Sequence, residues 1–202
     1  MKRNSLLSFA FVLFSIAASG SLSAGASFPQ SSASVSSPPP GAAARGSDPL
    51  ELRLGVLLHD RGFGGTKKEG REDLNIEVLF PTPRSRFLEA IWFPRPHVGA
   101  SINDRGATSQ VYGGLTWRLW HPGSLFLSAG FGVSVHDGEL KPDRTDREAL
   151  GSRILFRESA ELGYWLFPSD GVSFHIDHIS NAQLSEYNDG LTNLGIRYMH
   201  RF

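Results

Sequence analysis

The chain contains no cysteine, and its 20 Lys and Arg are matched by 20 Asp and Glu across 202 residues. The first absence excludes disulfide scaffolds, thiolate nucleophiles and Cys-ligated zinc or iron–sulfur centres. The second, a formal net charge of zero, removes the basic field that a nucleic-acid partner requires. Beyond the N-terminal segment no apolar run approaches the ~20 residues of a membrane-spanning helix. What the chain has in quantity is glycine, 22 residues, and aromatic side chains, 11%. One modest domain rich in tight turns and aromatic contacts is the class that remains.

The N-terminus has the pattern of a targeting segment. Lys2 and Arg3 precede an apolar stretch over 6–18, and Ala24-Gly25-Ala26 fits a small-residue cleavage site. This predicts a secretory signal peptide at 1–26, with an apolar run too short for an anchor. Residues 27–48 are mostly Ser, Ala, Pro and Gly around Pro38-Pro39-Pro40. Such a composition cannot bury a core, so a flexible segment is expected there. The folded part is then 49–202.

Within it the hydrophobic period is two. Leu125, Leu127, Ala129, Phe131, Val133 and Val135 alternate with Ser124, Ser128, Gly130, Gly132 and Ser134, with Phe126 the exception. Val111, Gly113, Leu115, Trp117 and Leu119 alternate in the same way, and His121-Pro122-Gly123 joins the two segments as a tight turn. Eight strands are expected, at about 50–59, 74–80, 93–102, 110–119, 124–135, 153–167, 172–179 and 192–202.

The connections alternate as well. Those at 60–73, 103–107, 136–151 and 181–190 are polar or glycine-rich, whereas 121–123 and 168–170 are short, and 81–90 is the exception in length. An even strand number, alternating faces, and short turns trading with long loops predict an all-β, eight-stranded antiparallel transmembrane β-barrel of the outer membrane. The terminal Phe202, sharing a face with Tyr198, Ile196 and Leu194, fits the last strand of such a barrel. Trp92, Trp117, Trp120 and Trp165 near strand ends suit an interfacial belt. The competing architecture is a soluble eight-stranded barrel with its apolar faces inward. Glycine and serine on the polar faces favour a narrow, side-chain-filled barrel interior instead.

With the N-terminus periplasmic, strand seven runs outward, and Val172, Phe174 and Ile176 define its lipid-facing side. His178 and Ser180 continue that side, about 7 Å apart along the strand. A polar group without a partner in hydrocarbon costs several kcal/mol, which marks such a placement as functional unless the pair sits in the headgroup zone. A hydroxyl beside an imidazole is also what acyl transfer needs, a nucleophile and a base for its proton. His175 and Asp177 face the lumen, where an interior hydrogen-bond network is expected, with Arg197 and Arg201 paired to such acids. Asp60, Arg61, Lys67, Lys68, Glu69 and the stretch 143–148 are expected to be solvated surface.

Asp177-His178-Ile179-Ser180-Asn181-Ala182, then Asn188-Asp189-Gly190-Leu191, then Leu194-Gly195-Ile196-Arg197-Tyr198 up to Phe202, resembles the PagL family of lipid A deacylases. The motifs cover about the last thirty residues. The resemblance implies an outer-membrane barrel that hydrolyses the ester-linked 3-O acyl chain of lipid A in lipopolysaccharide, with no cofactor and no metal. It makes Ser180 the nucleophile and His178 the general base. It places Asn181 at the oxyanion hole with neighbouring backbone N–H groups, and Asn188 and Gly190 in the supporting loop, where plain turn chemistry also accounts for them. Where the family carries a glutamate this chain has Thr192. If strands six and seven pair with 167 opposite 171, position 158 falls opposite 180, and Glu158 becomes a second candidate for the acid. Glu158, Thr192 and a Ser–His dyad all stay open here. So do a non-catalytic barrel, structural or ligand-binding, and a lipid A acyltransferase, against which the lipid-facing Ser180 argues.

Overall fold

A computed structural model describes residues 48–61, 68–103 and 105–202. The leader expected at 1–26 and the Ser/Pro-rich segment at 27–48, all but Asp48, lie outside the described residues, as does Lys67. Asp48–Phe202 forms one compact unit. Its strands are β1 (Glu51–Leu58), β2 (Glu72–Leu79), β3 (Arg95–Asn103), β4 (Gln110–Trp120), β5 (Leu125–His136), β6 (Ile154–Trp165), β7 (Asp170–Ser180) and β8 (Leu191–Arg201). They close into a barrel in sequence order, each pairing antiparallel with its neighbours, and β1 with β8. Loops 59–71, 104–109, 137–153 and 181–190 emerge at one end; 80–94, 121–124 and 166–169 turn the chain at the other. The long connection on the short-turn side holds a one-turn helix, α1 (Arg86–Ala90), which buries Leu88.

The alternation in the sequence becomes an inside and an outside. On β7, Gly171, Ser173, His175, Asp177 and Ile179 are buried while Val172 and Phe174 are exposed. Across the wall the exposed positions are apolar: Leu54, Val56, Ile76, Val98, Val111, Phe131, Val133, Phe156, Leu162 and Ile196 among them. The charges go inward. Arg53 pairs with Glu51 at 2.7 Å, with Glu77 at 3.1 Å and with Glu161. Arg197 pairs with Glu161 at 2.7 Å and with Glu77 at 3.2 Å. Asp177 lies 3.5 Å from Arg157, whose guanidinium also sits 3.6 Å from the centre of the Tyr112 ring. A soluble barrel would show the reverse distribution, because an ionised group without water needs a partner.

Two apolar clusters stopper the lumen. Phe126, Trp165 and Met199 pack together, with the Phe126 and Trp165 rings stacked 6.0 Å apart. This accounts for Phe126 as the exception in its strand, since it points inward. It also corrects the belt expectation for Trp165, which is buried beneath Arg201 rather than turned outward. Trp92 and Trp120 are exposed, and Trp117 donates to the carbonyl of Ile91 at 2.7 Å. The second cluster, Leu150, Leu155, Ile179 and Leu191, closes the long-loop end.

The interior ion pairs make a prediction. Replacing Arg197 by Met leaves Glu77 and Glu161 to share Arg53, and breaking a buried network in this way costs about 3–5 kcal/mol. The guanidinium midpoint of the folded barrel is expected to fall accordingly. An unchanged midpoint would mean that the lumen is hydrated enough to tolerate the loss.

Candidate active site

His178 and Ser180 share the outward face of β7 near the long-loop end, both half-exposed. Ile179, between them in sequence, points into the apolar stopper, and so does Leu191, the residue before Thr192. The site is therefore backed by packed side chains on its inner side, which fixes the strands that carry it.

The register differs by two residues from the expected one. Trp165 pairs with Gly171, so Glu158 stands opposite His178 and Phe156 opposite Ser180. The reason is the turn. The chain reverses over residues 166–169, with the N–H groups of Leu166 and Phe167 both donating to the carbonyl of Asp170 at 3.0 Å. A slip of two keeps every side chain on its face, so Glu158 stays on the outward face, now at the position opposite His178. On the other side β8 places Thr192 opposite His178. One row across three strands thus reads Glu158, His178, Thr192.

His178 Nδ1 lies 2.8 Å from Thr192 Oγ1. Thr192 is buried, which holds the imidazole plane. With Nδ1–H donating to the hydroxyl oxygen, Nε2 is the unprotonated nitrogen that a general base uses. Gly190 makes room for it. Its φ is +71°, and a Cβ there would meet His178 Cε1 at 2.9 Å and Nε2 at 3.2 Å. A side chain is therefore excluded twice, by sterics and by backbone conformation.

Asn181 departs from its expected part. Its carboxamide nitrogen donates to the carbonyls of Leu150 at 2.9 Å and Tyr187 at 2.6 Å, and its backbone N–H donates to Asn188 Oδ1 at 2.8 Å. These donors are engaged in binding the end of β7 to loops 137–153 and 181–190. Asn188 is likewise a fastening between the end of β7 and loop 181–190. After Asn181 the chain curls through left-handed Ala182 (φ 53°) and Gln183 (φ 65°), leaving the β7 ladder immediately beyond Ser180. Among the described residues no group of three or more His, Asp or Glu side chains is arranged to hold a metal ion.

The expectation of solvated surface holds for Lys68 and 143–146, which are exposed, but not for the whole set. Asp60, Glu69 and Glu148 are buried. His59, also buried, bonds through Nδ1 to Asp73 at 2.8 Å and through Nε2 to Glu69 at 3.3 Å. Glu69 also accepts from the backbone N–H groups of Thr108 and Glu148, each at 2.8 Å. One carboxylate so ties together loops 59–71, 104–109 and 137–153. Burial pushes the His59 pKa down, but the hydrogen bonds to Asp73 and Glu69 outweigh it and raise the value to about 9. Burial likewise raises Glu69, and the bonds from His59, Glu148 and Thr108 more than reverse it, to about 2. Sequence reading missed this cluster because its bonded partners lie up to 79 residues apart. The only local signal was a run of charges, which is ordinarily surface.

Comparison with known proteins gives one family. A family model described as lipid A 3-O-deacylase (PagL) matches residues 89–201, which include every site residue named above. The lipid A deacylase PagL of Bordetella bronchiseptica is 29% identical over 157 residues, covering 73% of this chain and 83% of that protein. Among solved structures, that of the outer membrane enzyme PagL superposes with a TM-score of 0.48 at 16% identity, covering 76% of this chain and 99% of the other. Neisserial surface protein A (NspA) superposes at 0.46 and 8% identity, covering 76% and 97%.

The loop cluster has a pH signature. A histidine whose folded pKa lies above its unfolded value of about 6.5 contributes stability that is complete below that value. That contribution is lost as pH rises through about 9. Cleavage of the long loops by a broad-specificity protease is expected to quicken between about pH 7 and pH 10 while the barrel stays folded. A rate that follows only the protease's own pH dependence would contradict it.

Proposed function

The chain belongs to the family of lipid A 3-O-deacylases, and from that premise we propose that it cleaves its ester by serine chemistry on the outer wall of the barrel, with Ser180 as nucleophile and His178 as general base. The observation that carries this reading is the pair itself: an imidazole and a hydroxyl at successive outward positions of a mostly apolar wall. The apolar wall and the family membership support a barrel set in the outer membrane with its long loops outward. The 3-O acyl ester of lipid A lies near the top of the hydrocarbon, so it meets such a site without leaving the leaflet.

The proposed steps are those of serine ester hydrolysis. His178 Nε2 takes the proton of Ser180 as Oγ attacks the ester carbonyl, giving a tetrahedral intermediate. The charge that develops on its oxygen is held by backbone N–H groups in the left-handed curl after Ser180, while Asn181, Asn188 and Gly190 keep that curl in place. Collapse breaks the bond to the sugar oxygen, to which the imidazolium returns the proton. Water, deprotonated by His178, then attacks the acyl-enzyme, and collapse releases the fatty acid as the imidazolium returns that proton to Ser180 Oγ.

Two neighbours share the part of the triad acid. Thr192 accepts the Nδ1 proton and sets the tautomer, but a hydroxyl does not offset imidazolium charge as a carboxylate does. Glu158 stands on the other side of the ring, a cross-strand partner at a Cβ separation of about 4.5–5.5 Å. A carboxylate on a lipid-facing wall is costly unless it has a task, and here it compensates the positive charge that forms on His178.

Mass spectrometry of lipid A from cells expressing the wild type is expected to show loss of one hydroxyacyl chain, and none with Ser180→Ala. Unaltered lipid A beside a folded wild-type barrel would favour the non-catalytic reading. Glu158→Gln is expected to lower kcat by about 100-fold or more; wild-type turnover would remove Glu158 from the site. Gly190→Ala, which pushes against the imidazole, is expected to lower activity by about 10–100-fold in a barrel that folds normally.

A further inference from the structure

The Asn188-Asp189-Gly190 segment has a division of labour. Its two outer residues serve the site directly, Asn188 by accepting from the backbone of Asn181 and Gly190 by leaving space for His178. Asp189 turns to the other loops. Its Oδ2 accepts from the backbone N–H of Ala149 at 3.0 Å and from Lys68 Nζ at 3.0 Å, and its own N–H donates to the Ala149 carbonyl at 3.1 Å.

Lys68 is the common member. It reaches Glu148 Oε2 at 3.1 Å as well as Asp189, so one ammonium bridges loop 137–153 and loop 181–190 from a third loop. Glu148 is buried and lies between two fixed points, since its backbone is held by Glu69. The backbone of Arg61, in the same loop as Lys68, donates to the Thr192 carbonyl at 2.7 Å, and that of Asp60 to Asn193 Oδ1 at 3.2 Å. The first long loop therefore grips both β8, which carries Thr192, and the segment that carries Gly190.

We propose that Lys68 is a positioning residue for the deacylation site, acting through Asp189 to hold Gly190 and Asn188 against His178 and the end of β7. The inference rests on the assignment of His178 and Ser180 made above. Lys68 and Asp189 side chains are 36% and 39% exposed, and half-exposed pairs add little to global stability. Their effect is local. Without Lys68 the two bonds to Ala149 remain but Asp189 is loosened, and with it the residues on either side, one of which packs against the base. Displacements of about 1 Å in a reacting constellation cost up to about 100-fold in rate.

The test compares the wild type, Ser180→Ala, Lys68→Met, Lys68→Arg and Asp189→Asn in one assay on detergent-solubilised lipid A, with folding followed by heat-modifiable migration. Lys68→Met is expected to lower kcat about tenfold or more with KM within about twofold. Lys68→Arg, which spans the same two carboxylates, is expected to recover most of that loss. The double variant Lys68→Met/Asp189→Asn is expected to be no slower than the slower single variant, because both cut the same connection. Wild-type kcat in Lys68→Met, or losses that multiply in the double variant, would overturn the proposal. So would loss of the folded barrel in both single variants, which would make the contact purely structural. An inactive wild type, or an active Ser180→Ala, would instead overturn the assignment on which the proposal rests.

Discussion

An apolar outer wall leaves charge to be gathered inside, and much of this molecule follows from that constraint. It turns Leu, Ile, Val and Phe outward and sends Arg53, Glu77, Glu161 and Arg197 into the lumen, where they neutralise one another. It also obliges the strands to close, since an open edge would leave backbone groups without partners. The β1–β8 pairing meets that requirement. Against such a wall an outward Glu158 or His178 is conspicuous in a way that no interior charge is.

The rigidity of the site comes from the other side of the same strands. Each outward residue is flanked by inward ones, and at this level the inward ones are Leu155, Ile179 and Leu191, packed with Leu150 from a loop. The imidazole therefore stands on a closed apolar layer, while the loops beyond it are joined through Glu69, Lys68 and Asp189. The proposed chemistry on the outer wall thus has a support of the kind usually found in enclosed clefts.

The faces of the strands were legible in the sequence because a period of two needs no knowledge of partners. From Val172 to Ser180 every side chain points as its parity requires. Register was not legible to the same degree. It depends on the number of residues in a turn, and the reversal over 166–169 is longer than Pro168-Ser169-Asp170 implied. Glu158 consequently moved from beside Ser180 to beside His178, on the face already expected. Trp165 was misplaced because proximity to a strand end says nothing about the direction of its side chain. The loop network was invisible, since Lys68 and Asp189 lie 121 residues apart and neither carries a local sign of its partner. The carboxamide of Asn181 shows the converse case, a motif residue whose place was readable and whose bonds were not.

The row Glu158, His178, Thr192 has a consequence for how such a site changes over time. A histidine on the middle one of three strands has a cross-strand neighbour on each side, related by an approximate mirror through the middle strand. In the proposed site a carboxylate at either position would stand on the same cross-strand row as the histidine, on strands whose register is already set. The two positions are in effect interchangeable sockets. A lineage that gains an acid in one is released from keeping it in the other, and a threonine in the vacated socket retains enough hydrogen-bonding capacity to hold the ring. Descent within this barrel can thus carry the acid from β8 to β6 while fold, nucleophile and base stay where they are.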